Sequence, residues 1–444
     1  MPQQNGAVAA NYPEPASHAL SWRPRRWTAV LLVISAAFAA WTLSPVWWSQ
    51  VGQDANVYYA AGNVSRQGGD VYNPGQLFAE EDRLYGAPHP GAGGFSHTTF
   101  ANPPLFAAAL KLIAPLPKTV FHLLWLSITA AGGVIALLAL LEAMRWRGRS
   151  LPLVFLITCS PMLLALFVGN ISTLLLLSWS TGLLLWTRQR PVLAGAALSV
   201  CWLKPSVGLP IAAALILAAP AAQIGPRIKA AIGLTAATTG LLVLQTMITG
   251  TNALASWGGA LFGYASALNS SQGVTVFSTN MSGLASLPAL WLGSLSTPVS
   301  MGLSMLVLAA ILLIALRFGD LMMGLRETPL LGLAMAQAVA LGLCPYLHFN
   351  DLFLAAIPLL LVASMPLNVL SRVTLVLWAI ASPARLVLSV LLAGIAPRVD
   401  YAGLPSTGIL LITLTFASLC AACAALPPRT RAERGHAAVR GGVT

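Results

Sequence analysis

Long apolar runs, separated by short polar segments, constrain this chain of 444 residues more than any other feature. Hydrophobic residues make up 57% of the sequence and charged residues only 8%. The runs are about 17 to 25 residues long, which is the length that an α-helix needs to cross a bilayer. They lack the alternating pattern of a membrane β-barrel. The sequence therefore predicts an all-α polytopic membrane protein.

The charges between the apolar runs set the number and the orientation of the spans. Arginine and lysine cluster in short segments, as they do in cytoplasmic loops. Together with turn residues, these clusters predict a bundle of about twelve transmembrane helices with both termini in the cytoplasm. The predicted spans are residues 27–43, 119–144, 151–168, 171–187, 192–203, 206–222, 228–248, 298–317, 329–345, 350–367, 369–392 and 405–426. The transmembrane domain is 27–426, between a disordered cytoplasmic tail, 1–26, and a basic cytoplasmic tail, 427–444.

The net charge of +12 does not indicate nucleic-acid binding. The basic residues are divided among the segments between the spans, where they meet anionic lipid on the cytoplasmic face. Membrane lipid, and no nucleic acid, is therefore the predicted partner. The five cysteines lie in apolar segments and are interpreted as packing residues.

The longest predicted outer loop, residues 44–118, follows the first span. Its carboxylates outnumber its arginines over most of its length, which suits a translocated segment. Residues 68–74 predict a turn, and residues 105–116 are apolar but too short to span. We expect 105–116 to form a re-entrant or interfacial helix. A loop of this length is uncommon unless it has a function.

Asp54 is the first candidate for chemistry in this loop, about ten residues beyond the first apolar run. A membrane enzyme that needs a general base at the bilayer surface could place a carboxylate there. The alternative is that Asp54 only solvates the loop. Asp70, further along the same loop, is the alternative base.

The predicted topology places several unusual polar residues on the outer side of the membrane. Lys204, at the turn of a hairpin, either snorkels to the lipid head groups or binds a phosphate. Arg385, inside the eleventh predicted span, would cost about 3 kcal/mol on insertion scales and therefore needs a partner. That partner is a lipid phosphate or a carboxylate. The outer-side residues are Asp54, Asn170, Lys204, the segment 249–297, His348, Asp351 and Arg398.

His348 and Asp351 begin the tenth predicted span. His348 is either structural or binds a phosphate or a sugar hydroxyl. With Asn350 and Asp351, it also suggests a site for a divalent metal ion, although such short spacing on one segment is only a weak indication of metal binding. No metal-ligand set is assigned, and nucleotide-binding motifs are missing from the sequence.

Several short motifs also occur in a particular order along the chain. They are Asp54 with residues 57–62, then 69–72, 100–105, 169–172, 203–205 and 345–351. This order resembles glycosyltransferase family 87, polyprenyl-phosphate-mannose-dependent mannosyltransferases of the GT-C superfamily. The likeness runs from about residue 25 to 425. The sequence departs from the family pattern at Asn102, where a tyrosine is common.

The resemblance implies a GT-C-like fold and transfer of a sugar, usually mannose, from a polyprenyl-phosphate donor to a glycolipid or glycan acceptor on the outer face. Asp54 would be the general base of an inverting single displacement. The candidates for binding the donor phosphate are Lys204, Arg385 and His348. The candidates for binding substrate are Asn102, Asn170, Asp351 and Tyr58.

Two other classes of protein stay open. A transporter or flippase of a lipid-linked intermediate would also have many spans and an intramembrane Arg385. It would not need a carboxylate loop, and we expect repeat symmetry between its halves. The third class, a structural membrane scaffold, would not explain why Asp54 and Arg385 are present.

Overall fold

The computed structural model describes the chain in separate segments. The described residues are 53–86, 97, 99–144, 165–166, 168–205, 207–208, 211–212, 216, 224–272, 306, 329–344, 347, 349–364, 369–378 and 405–424. All of the secondary structure in these segments is helical, as predicted. The predicted first span, both tails, His348 and Arg385 lie outside the described residues.

The helices whose bounds the structure describes are eleven α-helices and two 3₁₀ helices. The α-helices are α1 Gln53–Arg66, α2 Pro74–Tyr85, α3 Pro104–Ile113, α4 Lys118–Ala143, α5 Ser172–Thr187, α6 Pro191–Leu198, α7 Ile224–Gln272, α8 Pro329–Leu343, α9 Ala356–Ser364, α10 Val369–Trp378 and α11 Pro405–Ala424. The 3₁₀ helices are Ser199–Leu203 and Phe349–Ala355.

Two described helices are long and apolar enough to cross a membrane. They are α4, Lys118–Ala143, and the part of α7 from Gly225 to Ala260. The first matches the predicted span 119–144, and the second contains the predicted span 228–248 but is longer. The total of twelve spans stays a prediction.

Helix α7 extends further into the segment 249–297 than we expected. We expected an uncharged outer segment rich in glycine, serine and asparagine from residue 249, but α7 continues to Gln272 after a break at Gly250, where φ is 78° and ψ is 165°. Alanine and leucine, both strong helix formers, recur beyond the break. The indole nitrogen of Trp257 also donates a hydrogen bond to the carbonyl oxygen of Ala101 over 3.1 Å. A tertiary contact therefore supports the second half of the helix.

The long outer loop contains three helices and the predicted turn. Residues 67–73 turn the chain between α1 and α2, and Asn73 caps α2 by accepting from the backbone nitrogen atoms of Gly75 and Gln76. The helix predicted at 105–116 is present as α3, which begins at Pro104 and leaves Leu112 79% exposed. Its interfacial position stays a prediction.

An aromatic core joins this loop to the beginning of α4. The ring of Tyr58 in α1 makes edge contacts with Phe106 of α3 and Trp125 of α4, each at a centroid distance of 5.2 Å. Phe100 and Phe121 complete this core and are fully buried. Edge-to-face pairs contribute about 0.5–1.5 kcal/mol each beyond the buried area. This core fixes α1, and with it Asp54, against α4.

A second core holds the helices that follow. Helix α5 packs along α4 and α6, and α6 packs along α7. The 3₁₀ helix Phe349–Ala355 packs on α5, where Phe353 and Trp179 are fully buried. The ends of α1, α5, α6 and the 3₁₀ helix therefore come together at one place.

Candidate active site

A continuous set of polar side chains lies where these ends meet. Asp54 is in the first turn of α1, and Asn170 lies in the turn before α5. Ser172 begins α5, Lys204 follows the first 3₁₀ helix, and Asp351 lies in the first turn of the second. We call these five side chains the polar cluster.

Asp54 stands at one end of the polar cluster. The Nδ2 atom of Asn170 donates a hydrogen bond to Asp54 Oδ2 over 2.6 Å. Burial raises the pKa of Asp54 to about 6, although the charge of Lys204 and the Asn170 hydrogen bond act in the opposite direction. The negative charge of Asp351 adds to the rise. A carboxyl with such a pKa is suited to general-base chemistry near neutral pH.

Gly169 brings Asn170 close enough to reach Asp54. Its φ is +73°, in the left-handed region, and a Cβ at this position would lie 2.7 Å from the Cβ of Ala55. The Gly169 carbonyl oxygen accepts a hydrogen bond of 2.7 Å from the indole nitrogen of Trp125. The turn therefore requires glycine and is fixed by the aromatic core.

Ser172 determines which way the Asn170 amide faces. The backbone nitrogen of Ser172 donates to Asn170 Oδ1 over 2.8 Å, and the Ser172 hydroxyl donates to the same oxygen. Since Oδ1 is held as an acceptor on this side, the Nδ2 donor of Asn170 faces Asp54. The reverse orientation would place an amide oxygen against a carboxylate.

Lys204 and Asp351 form an ion pair at the other end of the polar cluster. The ammonium nitrogen lies 2.7 Å from both carboxylate oxygens. Asp351 is fully buried and the Lys204 side chain is 17% exposed. The single hydroxyl hydrogen of Ser172 is shared between Asn170 Oδ1 and Asp351 Oδ1, which closes the path from Lys204 to Asp54. Two of the three N–H groups of the ammonium are directed at Asp351, so the third can serve another acceptor.

Asn102 connects the outer loop to Lys204. Its Nδ2 atom donates to the carbonyl oxygen of Leu203 over 2.8 Å, one residue before Lys204. The backbone carbonyl oxygen of Asn102 in turn accepts a hydrogen bond from the Tyr72 hydroxyl over 2.7 Å. Loop residues therefore hold the backbone that carries the cation.

The structure brings together Asp54, Asn170, Lys204 and Asp351, four of the residues singled out from the sequence. Tyr58, predicted to bind substrate, is 5% exposed in the aromatic core. Asp70, the alternative base, is exposed, and its Oδ1 atom accepts from the backbone nitrogen of Tyr72. Its described role is to shape the turn before α2.

Ser172 and Tyr72 are two functional candidates to which the sequence alone assigns no role. Both lie inside the short motifs at 169–172 and 69–72, so the motif positions themselves were the available signal. Among the described residues, Asp351 pairs with Lys204, a contact that the sequence did not predict. No group of three metal-ligating side chains occurs among the residues that the structure describes.

A comparison with protein families identifies the chain. Residues 100–345, more than half of its length, match the family described as Glycosyltransferase family 87. The chain belongs to this family. The match confirms the resemblance, and it makes the protein a membrane-bound glycosyltransferase that uses a sugar donor and an acceptor. No curated protein and no solved structure matches the chain.

The matched region includes part of the polar cluster. Asn170, Ser172 and Lys204 lie inside residues 100–345, whereas Asp54 and Asp351 lie outside them. Hydrogen bonds nevertheless join both carboxylates to the matched region: Asn170 donates to Asp54, and Lys204 donates to Asp351.

Proposed function

We propose that this family-87 glycosyltransferase moves a sugar, mannose by the family resemblance, from a polyprenyl-phosphate donor to a glycolipid or glycan acceptor. The reaction takes place on the outer face of the membrane, in a multi-pass protein with both termini in the cytoplasm. The lipid tail of such a donor stays in the bilayer, which explains why the enzyme is a membrane protein.

The observation that carries the proposal is the environment of Asp54. Its carboxylate lies at the beginning of α1, is oriented by Asn170, and has a pKa of about 6. It is therefore mostly ionised at neutral pH and still basic enough to accept a proton in a transition state. The N-terminal turn of a helix also favours a negative charge.

The proposed reaction is a single displacement with inversion at the anomeric carbon. The acceptor hydroxyl oxygen attacks that carbon while Asp54 takes the hydroxyl proton. The bond from the anomeric carbon to the phosphate oxygen breaks, and polyprenyl phosphate leaves with the electron pair. Glycosyl transfer passes through an oxocarbenium-like transition state, so charge develops on the phosphate.

Lys204 is the described residue best placed to stabilise this charge. Its ammonium has one N–H beyond the two that face Asp351, and it belongs to the same polar cluster as Asp54. A fixed cation that meets the developing charge lowers the barrier. His348 and Arg385 are proposed as further phosphate ligands.

The proposed substrate-binding residues lie around these two groups. Asn170 and Asp351 lie between Asp54 and Lys204, and Asn102 contacts the residue before Lys204. Tyr58 is one helical turn beyond Asp54 on α1, but its ring is buried in the aromatic core, so its proposed contribution is to hold α1 against α4. Acceptor and donor would therefore meet between the ends of α1 and α5.

The test uses purified protein in lipid vesicles supplied with a radiolabelled donor and a membrane glycolipid extract as acceptor. We expect labelled product from polyprenyl-phosphate-mannose and none from a nucleotide-linked mannose. Transfer from the nucleotide sugar alone would contradict the proposed donor. Movement of the lipid-linked donor across the bilayer, without any labelled product, would favour the transporter or flippase.

A further inference from the structure

The polar cluster forms an unbroken chain of hydrogen bonds between the two ends of the proposed reaction. It starts at the Lys204–Asp351 ion pair and continues through the Ser172 hydroxyl to Asn170. Asn170 then donates to Asp54. The contacts of Lys204 with Asp351, of Ser172 with Asp351 and of Asn170 with Asp54 join residues 147, 179 and 116 positions apart in sequence. This chain of hydrogen bonds therefore forms only in the folded protein.

The chemistry of each group fixes the direction of donation along this chain. The Lys204 ammonium can only donate, and an ionised carboxylate such as Asp351 can only accept. Ser172 has one hydroxyl hydrogen and two oxygen neighbours, Asp351 Oδ1 and Asn170 Oδ1. The hydroxyl therefore divides its hydrogen bond between the ion pair and the residue that holds the base.

Ser172 contacts Asn170 twice, and the two contacts differ in kind. The backbone N–H of Ser172 stays on Asn170 Oδ1 whichever way the hydroxyl turns. If a phosphate accepts a hydrogen bond from the Lys204 ammonium, less of the positive charge is shared with Asp351. The Asp351 carboxylate then becomes a stronger hydrogen-bond acceptor. The hydroxyl can then turn towards Asp351, which leaves Asn170 Oδ1 with the backbone N–H alone, so that the Asn170 amide is held less firmly against Asp54.

We propose that Ser172 and Asn170 are positioning residues that couple the phosphate-binding cation Lys204 to the orientation of Asp54. The coupling rests on the proposed function, since it assigns Asp54 as base and Lys204 as phosphate ligand. Its consequence is that a change of partner at Lys204 alters how firmly Asn170 holds the base. Asp351 is the acceptor that links the two halves.

The experiment compares Ser172→Ala with Ser178→Ala in the vesicle assay. Ser178 lies on the same helix and donates its own buried hydroxyl to the carbonyl oxygen of Ala197 over 2.8 Å, away from the polar cluster. Both variants lose one serine hydroxyl from α5. We measure kcat/KM between pH 4.5 and pH 8, a window chosen around the Asp54 pKa of about 6.

We expect Ser172→Ala to lower kcat/KM by roughly 10- to 100-fold, as for other losses of alignment. Its acid limb should move to higher pH, because a less firmly held Asn170 stabilises the ionised Asp54 less well. Ser178→Ala should keep the wild-type acid limb. Equal pH profiles for the two variants would overturn the coupling.

A double variant separates positioning from a general structural effect. If Ser172 acts through Asp54, adding Ser172→Ala to Asp54→Asn should cause no further loss of the residual rate. Independent losses that multiply would overturn the coupling and leave the proposed function intact. A wild-type protein that transfers no sugar would overturn both, so the two failures are distinguishable.

Discussion

The side-chain nitrogen of Asn170 lies 2.6 Å from Asp54 Oδ2, across a sequence separation of 116 residues. This hydrogen bond joins the loop that follows the first predicted span to the region that matches family 87. Asp54 was chosen from the sequence because charged residues are rare in this chain. The bond gives that choice a physical partner, and it orients the carboxylate.

The acid limb of the reaction should reflect Asp54. Because its pKa is about 6, kcat/KM should fall as the pH drops through 6 and the carboxylate becomes protonated. Asn170→Ala removes a donor that favours the ionised form, so the Asp54 pKa and the acid limb should both rise. The pH profile of kcat/KM measures this shift. An acid limb that stays in place would show that Asn170 does not act on the base.

Lys204 and Asp351 should move the same limb in opposite directions. Lys204→Gln removes a positive charge that lowers the Asp54 pKa, so the limb should move to higher pH. Asp351→Asn removes a negative charge that raises this pKa, so the limb should move to lower pH. The KM for the donor should rise in Lys204→Gln, because the variant loses the proposed phosphate ligand.

The double variant Lys204→Gln with Asp351→Asn is the control for these two. Each single change removes one half of a buried ion pair, at a cost of about 3–5 kcal/mol. Removing both charges avoids that cost, so the double variant should unfold at a higher temperature than either single variant. Shifts of the acid limb in the same direction for both single variants would contradict the electrostatic account.

Gly169→Ala should impair activity more than a comparable change elsewhere. Gly169 and Gly68 both have positive φ, +73° and +79°, so alanine is strained at each position, by about 1–3 kcal/mol. Only Gly169 also faces Ala55, whereas no atom lies within 4 Å of a Cβ at Gly68. Thermal unfolding and kcat measured on both variants separate these effects.

We expect both glycine variants to lose stability and only Gly169→Ala to lose most of its kcat, since the added methyl group displaces the Asn170 turn from α1. A similar kcat for the two variants would show that the close approach of Gly169 to α1 has no part in catalysis.

Asp54 should reduce the stability of the folded protein at neutral pH. A carboxyl whose pKa is raised on folding binds its proton more tightly in the folded state, so the protein loses stability as the pH rises from about 4 to 6. Asp54→Asn removes this cost. Its Tm should therefore exceed that of wild type at pH 7.5 and approach it near pH 4. A lower Tm at pH 7.5 would indicate that Asp54 is structural.

Much of the helical organisation was predictable because it depends on local composition. The apolar runs predicted α4 and the first half of α7, and the turn residues predicted the break between α1 and α2. The helix after Gly250 was not predicted, since its glycine, serine and asparagine residues favour loops by themselves. A contact with Ala101, far away in sequence, supports it instead.

The residue types of the candidate site were predictable, but their partners were not. The topology placed Asp54, Asn170, Lys204 and Asp351 on one side of the membrane, and the structure joins them. Nothing in the local sequence says that Lys204 pairs with Asp351, at a separation of 147 residues, or that Ser172 links them to Asn170. Such pairings depend on how helices pack, which a single sequence does not contain.

The most direct test of the central claim compares sugar transfer by wild type, Asp54→Asn and Asp70→Asn in the same vesicles. A general base contributes about 10²- to 10⁴-fold, so Asp54→Asn should lose at least a hundredfold of kcat while remaining folded. Asp70→Asn should keep most of the rate, because Asp70 is exposed on a turn. Equal rates for wild type and Asp54→Asn, or a loss confined to Asp70→Asn, would contradict the account.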